Sequence, residues 1–188
     1  MSALKFVIYA LFRLFLPAFL MRVLLPLVRA DARNPVSRFV IQITNPLVLP
    51  LRKLLPPIGR VDTPALIVLL AVDVACVGTM WWLNNLPMGA YQAILVNAAI
   101  DLLIFVLEFY FFAILLYALL SWVAQDVHSP VGGILNSLLR PILEPFRRLI
   151  PPISGFDLSA AFAAIAIKAL EIFLVGVLGR YVVSWNQF

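Results

Sequence analysis

Chemistry in this chain would have to come from ionisable side chains set inside otherwise apolar runs, namely Arg13, Asp73, Asp101, Glu108, Lys168 and Glu171. Such groups can line a path for an ion or a proton, or they can neutralise one another and hold helices together. The spacing favours the second. Asp73 and Lys168 lie 95 positions apart, as do Arg13 and Glu108, and each pair joins opposite signs. Because 95 is also the interval of an internal repeat described below, the members of each pair are expected at equal depth. An unpaired charge at the bilayer centre costs about 2.5–3.5 kcal/mol on insertion scales. Two intramembrane ion pairs, Asp73–Lys168 and Arg13–Glu108, are therefore predicted.

Other chemistries lack their parts. His128 is the single histidine and Cys76 the single cysteine, so neither a zinc site nor a haem could find further ligands of those types. Cys76 lies in an apolar run and implies no disulfide framework. No nucleophile–base pair, phosphate-cradling glycine loop or carboxylate cluster with metal spacing appears. The expectation is a protein without cofactor or metal that is not an enzyme.

The elements that position the charged groups are apolar helices. The sequence is 64% hydrophobic and 12% charged over 188 residues, more apolar side chain than a soluble domain of this size can hide. Residues 6–28 form an apolar run that reaches about 34 Å as a helix, slightly more than the ~30 Å hydrocarbon core. Lys5 and this run resemble a signal peptide, but Arg13 and Arg22 interrupt it, and the run is read as a retained first span. Further spans are predicted over about 64–84, 100–122 and 159–183. Trp81 and Trp82 form an aromatic belt at the end of the second, and Trp122 marks the exit of the third.

Between the spans lie two related segments, Asn34–Asp62 and Ser129–Asp157. Superposed at the offset of 95 without a gap, they align Pro35 with Pro130, Pro46 with Pro141 and Pro50 with Pro145. The match continues through Arg52 with Arg147, Pro56 and Pro57 with Pro151 and Pro152, and Asp62 with Asp157. So many aligned prolines cannot come from a bias toward aliphatic residues, and they mark a duplication. Asn34–Pro35 and Asn45–Pro46 read as N-caps followed by proline at the first helical position. Each segment should thus hold a pair of short amphipathic helices, about 36–44 and 47–54 in the first and about 131–140 and 142–149 in the second. Too short to span, they are expected to lie in the interface or dip into it as a re-entrant hairpin.

The proline-punctuated cores, PLVLPLRKLLPPI at 46–58 and PILEPFRRLIPPI at 141–153, each closed by an aspartate, resemble the YggT family of small bacterial and plastid membrane proteins. With the flanking apolar helices the resemblance covers nearly the whole chain. It implies two repeats, 1–90 and 91–188, in a bacterial inner membrane. It also implies a link to osmotic-stress tolerance, with relatives in cell division and in the assembly of plastid membrane haem proteins. A haem-binding role finds no support in one histidine.

Each repeat carries two spans, an even number, so both must enter the membrane from the same side, as parallel repeats related by an axis along its normal. Nine of the fourteen cations (Arg29, Arg33, Arg38, Arg52, Lys53, Arg60, Arg140, Arg147, Arg148) lie in or beside the repeat cores. The positive-inside rule then makes the cores cytoplasmic and leaves both termini outside. Cations interleaved with aliphatics beside membrane spans suit anionic headgroups better than nucleic acid. Arg38, Arg52, Lys53, Arg140, Arg147 and Arg148 are accordingly the expected lipid or partner surface. Small residues on the last span, among them Ala160, Ala164 and Gly176, would allow a homo-oligomer or a membrane-protein partner to pack closely. The sequence therefore points to an all-helical four-span protein with one of two roles. One is osmotic-stress tolerance, with ion movement at its centre, and the other is a scaffold or assembly factor that binds lipid and partners and conducts nothing.

Overall fold

The computed structural model describes residues 3–86, 91–123, 129–149 and 158–178. They form six helices, α1 (Ala3–Leu27), α2 (Pro35–Arg52), α3 (Thr63–Leu83), α4 (Tyr91–Val123), α5 (Pro130–Leu149) and α6 (Leu158–Leu178). Helices α1, α3, α4 and α6 are long and apolar enough to cross a membrane, with mean hydropathy of 1.9, 2.1, 2.5 and 2.2 over their best windows. The repeat is visible in the elements. Helices α2 and α5 begin 95 residues apart, and the described part of α6 covers the positions 95 beyond those of α3.

The predicted pairs of short helices fuse into one helix in each repeat, with Pro46 and Pro50 inside α2 and Pro141 and Pro145 inside α5. Proline removes a backbone bond to the residue four before it, and the turn of α2 that leads into Pro46 takes polar contacts from outside the helix. Arg22 of α1 makes them: its Nη1 donates to Ile41 O at 3.1 Å, Thr44 Oγ1 at 3.3 Å and Asn45 Oδ1 at 3.3 Å. Asn45 therefore accepts from an arginine and caps nothing. Asn34 does cap α2, its Oδ1 accepting from Val36 N at 2.8 Å. Ser129 plays that part for α5, accepting from Gly132 N at 3.0 Å. The third span and its lead-in are likewise one helix, α4, whose 33 residues reach about 50 Å.

In each half the two spanning helices pack as a hairpin, α1 on α3 and α4 on α6, and the amphipathic helix lies against both. The halves join where α3 meets α4 and where α2 meets α5. At the latter contact Leu25, Val40, Ile134 and Leu138 form a buried cluster, and Asn34 Nδ2 donates to Pro130 O at 2.8 Å. At the other end of the bundle, Lys5 Nζ donates to Asn84 Oδ1 at 2.7 Å, tying the start of α1 to the end of α3. The two amphipathic helices thus share one end, as parallel repeats require, and the C-terminal end of α3 lies at the opposite end. Leu14, Phe112, Ile165 and Phe173 are among many large apolar side chains left exposed on the spans, where only lipid or another membrane helix can cover them. Trp82 is exposed, but Trp81 is buried among Met80, Ile94 and Ala98, so one of the two tryptophans belongs to the core and not to an aromatic belt.

Candidate functional site

Polar groups gather at two levels. The first is a seam inside the bundle, where α1, α3 and α4 meet. The Arg13 side chain leans toward the N-terminal end of its helix, as helical side chains do. There its Nε donates to Tyr9 Oη at 2.7 Å and its Nη2 to Asp101 Oδ1 at 2.8 Å. The guanidinium also stands 5.0 Å from the centre of the Phe105 ring, within cation–π range. From α3, the buried Asp73 lies beside Asp101. Its Oδ1 is buried without a partner.

Neither predicted intramembrane pair forms. Arg13 takes Asp101 in place of Glu108, and Lys168 takes Glu171 on its own helix at 2.7 Å, with its ammonium 5.3 Å from the Phe111 ring centre. The repeat argument fixes depth, but it says nothing about direction around the axis. Asp73 faces α4 from a helix packed on α1, α2 and α4, whereas α6 packs on α4 and α5. Glu108, one heptad from Asp101, borders an apolar groove of about 670 Å³ with Arg13, Met21, Phe109, Ile134 and Leu138. That groove runs between the two halves and has no continuous polar lining.

The second level is the end of the bundle shared by α2 and α5. Six cations and two carboxylates fall in residues 29–62, against three cations and one carboxylate in 129–149. Arg38, Lys53, Arg140 and Arg148 are exposed there, but Arg140 and Arg148 both lean on Glu144, at 3.8 Å and 2.9 Å. Of Arg52 and Arg147, both expected on the outward surface, Arg52 is exposed but engaged by a carboxylate and Arg147 is half-buried. Arg52 Nη2 donates to Asp62 Oδ2, and Asp62 is shared with Arg22 Nε at 3.2 Å. Arg147 Nη2 donates to Tyr117 Oη at 3.0 Å. Asp62 also caps α3, accepting from Ala65 N at 3.4 Å. One carboxylate therefore joins α1, the end of α2 and the start of α3, and in the second repeat Tyr117 stands where Arg22 stands in the first. Pro151, Pro152 and Asp157, expected to complete the motif there, lie outside the described residues, whereas Pro56 and Pro57 are exposed and in no helix. Sequence reasoning missed Arg22 as a structural centre. Its signal was position, since an arginine five residues from the end of a span lies within reach of the polar groups at that end.

The sequence profile of the CCB3/YggT family matches residues 1–83 and again 96–178, two segments displaced by the interval that relates the helices. The chain belongs to the CCB3/YggT family. Relatives of this CCB3/YggT protein include an uncharacterized protein of Pseudomonas aeruginosa, 32% identical over 93% of this chain and 89% of that one. Another is an uncharacterized protein of Vibrio alginolyticus, 31% identical over 95% of this chain and 97% of its own length. The protein named YggT of Escherichia coli K12 is 29% identical over 95% of this chain and 92% of its own length. No solved structure matches the chain. Family membership carries the two-repeat membrane architecture and leaves the activity to be argued from the residues.

Proposed function

We propose that this CCB3/YggT protein is a non-enzymatic scaffold of the bacterial inner membrane, in which α2 and α5 form a cationic ledge that holds anionic lipid and partner proteins on the cytoplasmic side. The observation that carries this reading is the contact of α2 with α5 at one end of the bundle, which sets Arg38, Lys53, Arg140 and Arg148 along one exposed level. A cation near an anionic surface contributes about 1 kcal/mol, so a row of them accumulates anionic headgroups even after Glu144 offsets part of the charge. Positive-inside placement puts this level in the cytoplasm, and osmotic-stress tolerance would follow from organising the inner leaflet.

Ion movement is the second reading, and the pair Asp73–Asp101 favours it, since adjoining carboxyl groups inside a membrane are a recurrent feature of proton paths. Against it, Asp101 is paired with Arg13 and the groove beside them is apolar. Purified protein in liposomes separates the two. The scaffold reading expects proton and potassium flux no greater than in empty vesicles. It also expects anionic lipid carried through purification to fall when Arg38, Lys53, Arg140 and Arg148 are replaced by glutamate. Flux that disappears in Asp73→Asn would overturn it in favour of ion movement.

A further inference from the structure

Behind the Arg22–Asp62–Arg52 knot lies a recess of about 300 Å³, walled by those three residues with Pro26, Ser37 and Ile41. Two of its features are unexplained by packing. Ser37 is 2% exposed, and its Oγ has no hydrogen-bond partner, an arrangement that normally costs the desolvation of the hydroxyl unless a ligand or water answers it. Arg22 spends its Nε and Nη1 on Asp62 and α2, and Arg52 spends an Nη2 on the same carboxylate. Two guanidinium groups thus share one carboxylate, leaving the recess one positive charge in excess.

Ser37 also sits in the first turn of α2, whose N-terminal end carries the positive pole of the helix dipole. The chemistry called for is a single anion that accepts from a hydroxyl and from guanidinium N–H groups, which is phosphate chemistry. Its position, five residues before the end of a membrane-spanning helix, lies at headgroup depth.

The duplication supplies an internal comparison. At the corresponding positions of the second repeat Arg22 becomes Tyr117 and Ser37 becomes Gly132. Tyr117 Oη occupies Arg147 directly. The arginine and the hydroxyl that line the recess in the first repeat therefore have no counterpart in the sequence of the second.

We propose that the recess is a binding site for the phosphate of one phospholipid headgroup, one per chain. This rests on the reading of the α2–α5 end as the lipid-contacting level, and it adds a saturable site to what would otherwise be diffuse attraction. The probe is water-soluble dihexanoyl phosphatidylglycerol, titrated onto the full chain in mild detergent, with inorganic phosphate in a parallel arm and native mass spectrometry to count bound molecules.

One lipid per chain is expected. Ser37→Ala should weaken it about tenfold, the loss of one hydrogen bond to a charged group, and Ser37→Leu, which fills the recess, should abolish it. Arg22→Lys, which keeps the charge but not the fork, should weaken it by a similar factor. Because Ser37→Ala removes only an unpartnered oxygen, folding is not at risk in that variant.

Binding unchanged in Ser37→Leu overturns the site. If Arg38→Gln with Lys53→Gln abolishes the same binding while Ser37→Leu leaves it intact, the ledge reading stands and the recess is refuted. If no variant differs and no lipid is retained, both fall. Displacement of the lipid by inorganic phosphate at equal concentration would overturn the headgroup as the source of the phosphate.

Discussion

Asp62 is the residue whose loss should be felt most widely, because three helices meet on its carboxylate. In Asp62→Ala, Arg22 keeps its bonds to Ile41, Thr44 and Asn45 but loses its counter-charge, and its side chain is 6% exposed. Removing one partner of a buried ion pair costs about 3–5 kcal/mol. The surviving polar contacts put this case at the lower end, and the lost cap on α3 adds up to about 1 kcal/mol. The sum is about 3–4 kcal/mol.

Arg52→Gln removes the other guanidinium, whose side chain is 39% exposed, and a pair that wet contributes about 0–1 kcal/mol. At about 2–4 °C per kcal/mol for a chain of this length, Asp62→Ala should melt roughly 6–16 °C below the parent and Arg52→Gln within about 4 °C of it. The assay is loss of the monodisperse peak on heating in detergent, followed by intrinsic tryptophan fluorescence. Adding Arg22→Leu to Asp62→Ala should recover part of the loss, since an apolar pair is tolerated where a lone buried charge is not. Equal melting of Asp62→Ala and Arg52→Gln, or no recovery in the double variant, would refute the assignment of Asp62 as a buried counter-charge.

A double-mutant cycle on Arg13→Met and Asp101→Asn should return a coupling above about 1 kcal/mol, whereas Asp73→Asn with Lys168→Met should add within about 0.3–0.5 kcal/mol. Asp101→Asn leaves Arg13 uncompensated and should cost about 2.5–3.5 kcal/mol. Asp73→Asn relieves a carboxyl–carboxyl contact and should leave the melting temperature unchanged or raise it. Asn34→Ala loses both the cap on α2 and the bridge to Pro130, for about 1–2 kcal/mol, and Ser129→Ala, which loses a cap alone, should cost less.

Much of the architecture was legible because it rests on length, apolarity and an ungapped repeat. The four spans and the shared end of the amphipathic helices follow from those alone. The join between 36–44 and 47–54 was not legible, since Asn45–Pro46 carries a sound local signal for a helix start, while in the fold the Asn45 side chain accepts from Arg22 of α1, twenty-odd residues earlier, and caps nothing. The ion pairs were misread for a related reason. An offset places Asp73 and Lys168 at one depth, yet which neighbours they face depends on helix packing, and Lys168 found a carboxylate three residues along its own helix. The engagement of Arg52 by Asp62 and of Arg147 by Tyr117 was hidden because both arginines sit among exposed cations, and only the fold brings those partners to them.

The placement of the two basic helices at one face of the bilayer is the claim on which the rest depends, and it can be read by single-cysteine labelling in a Cys76→Ala background. With a membrane-impermeant maleimide, Lys53→Cys and Arg148→Cys should react together in inverted vesicles and stay unreactive in intact spheroplasts, while Tyr91→Cys should show the reverse. Reaction of Lys53→Cys and Arg148→Cys from opposite faces would contradict the parallel arrangement of the repeats.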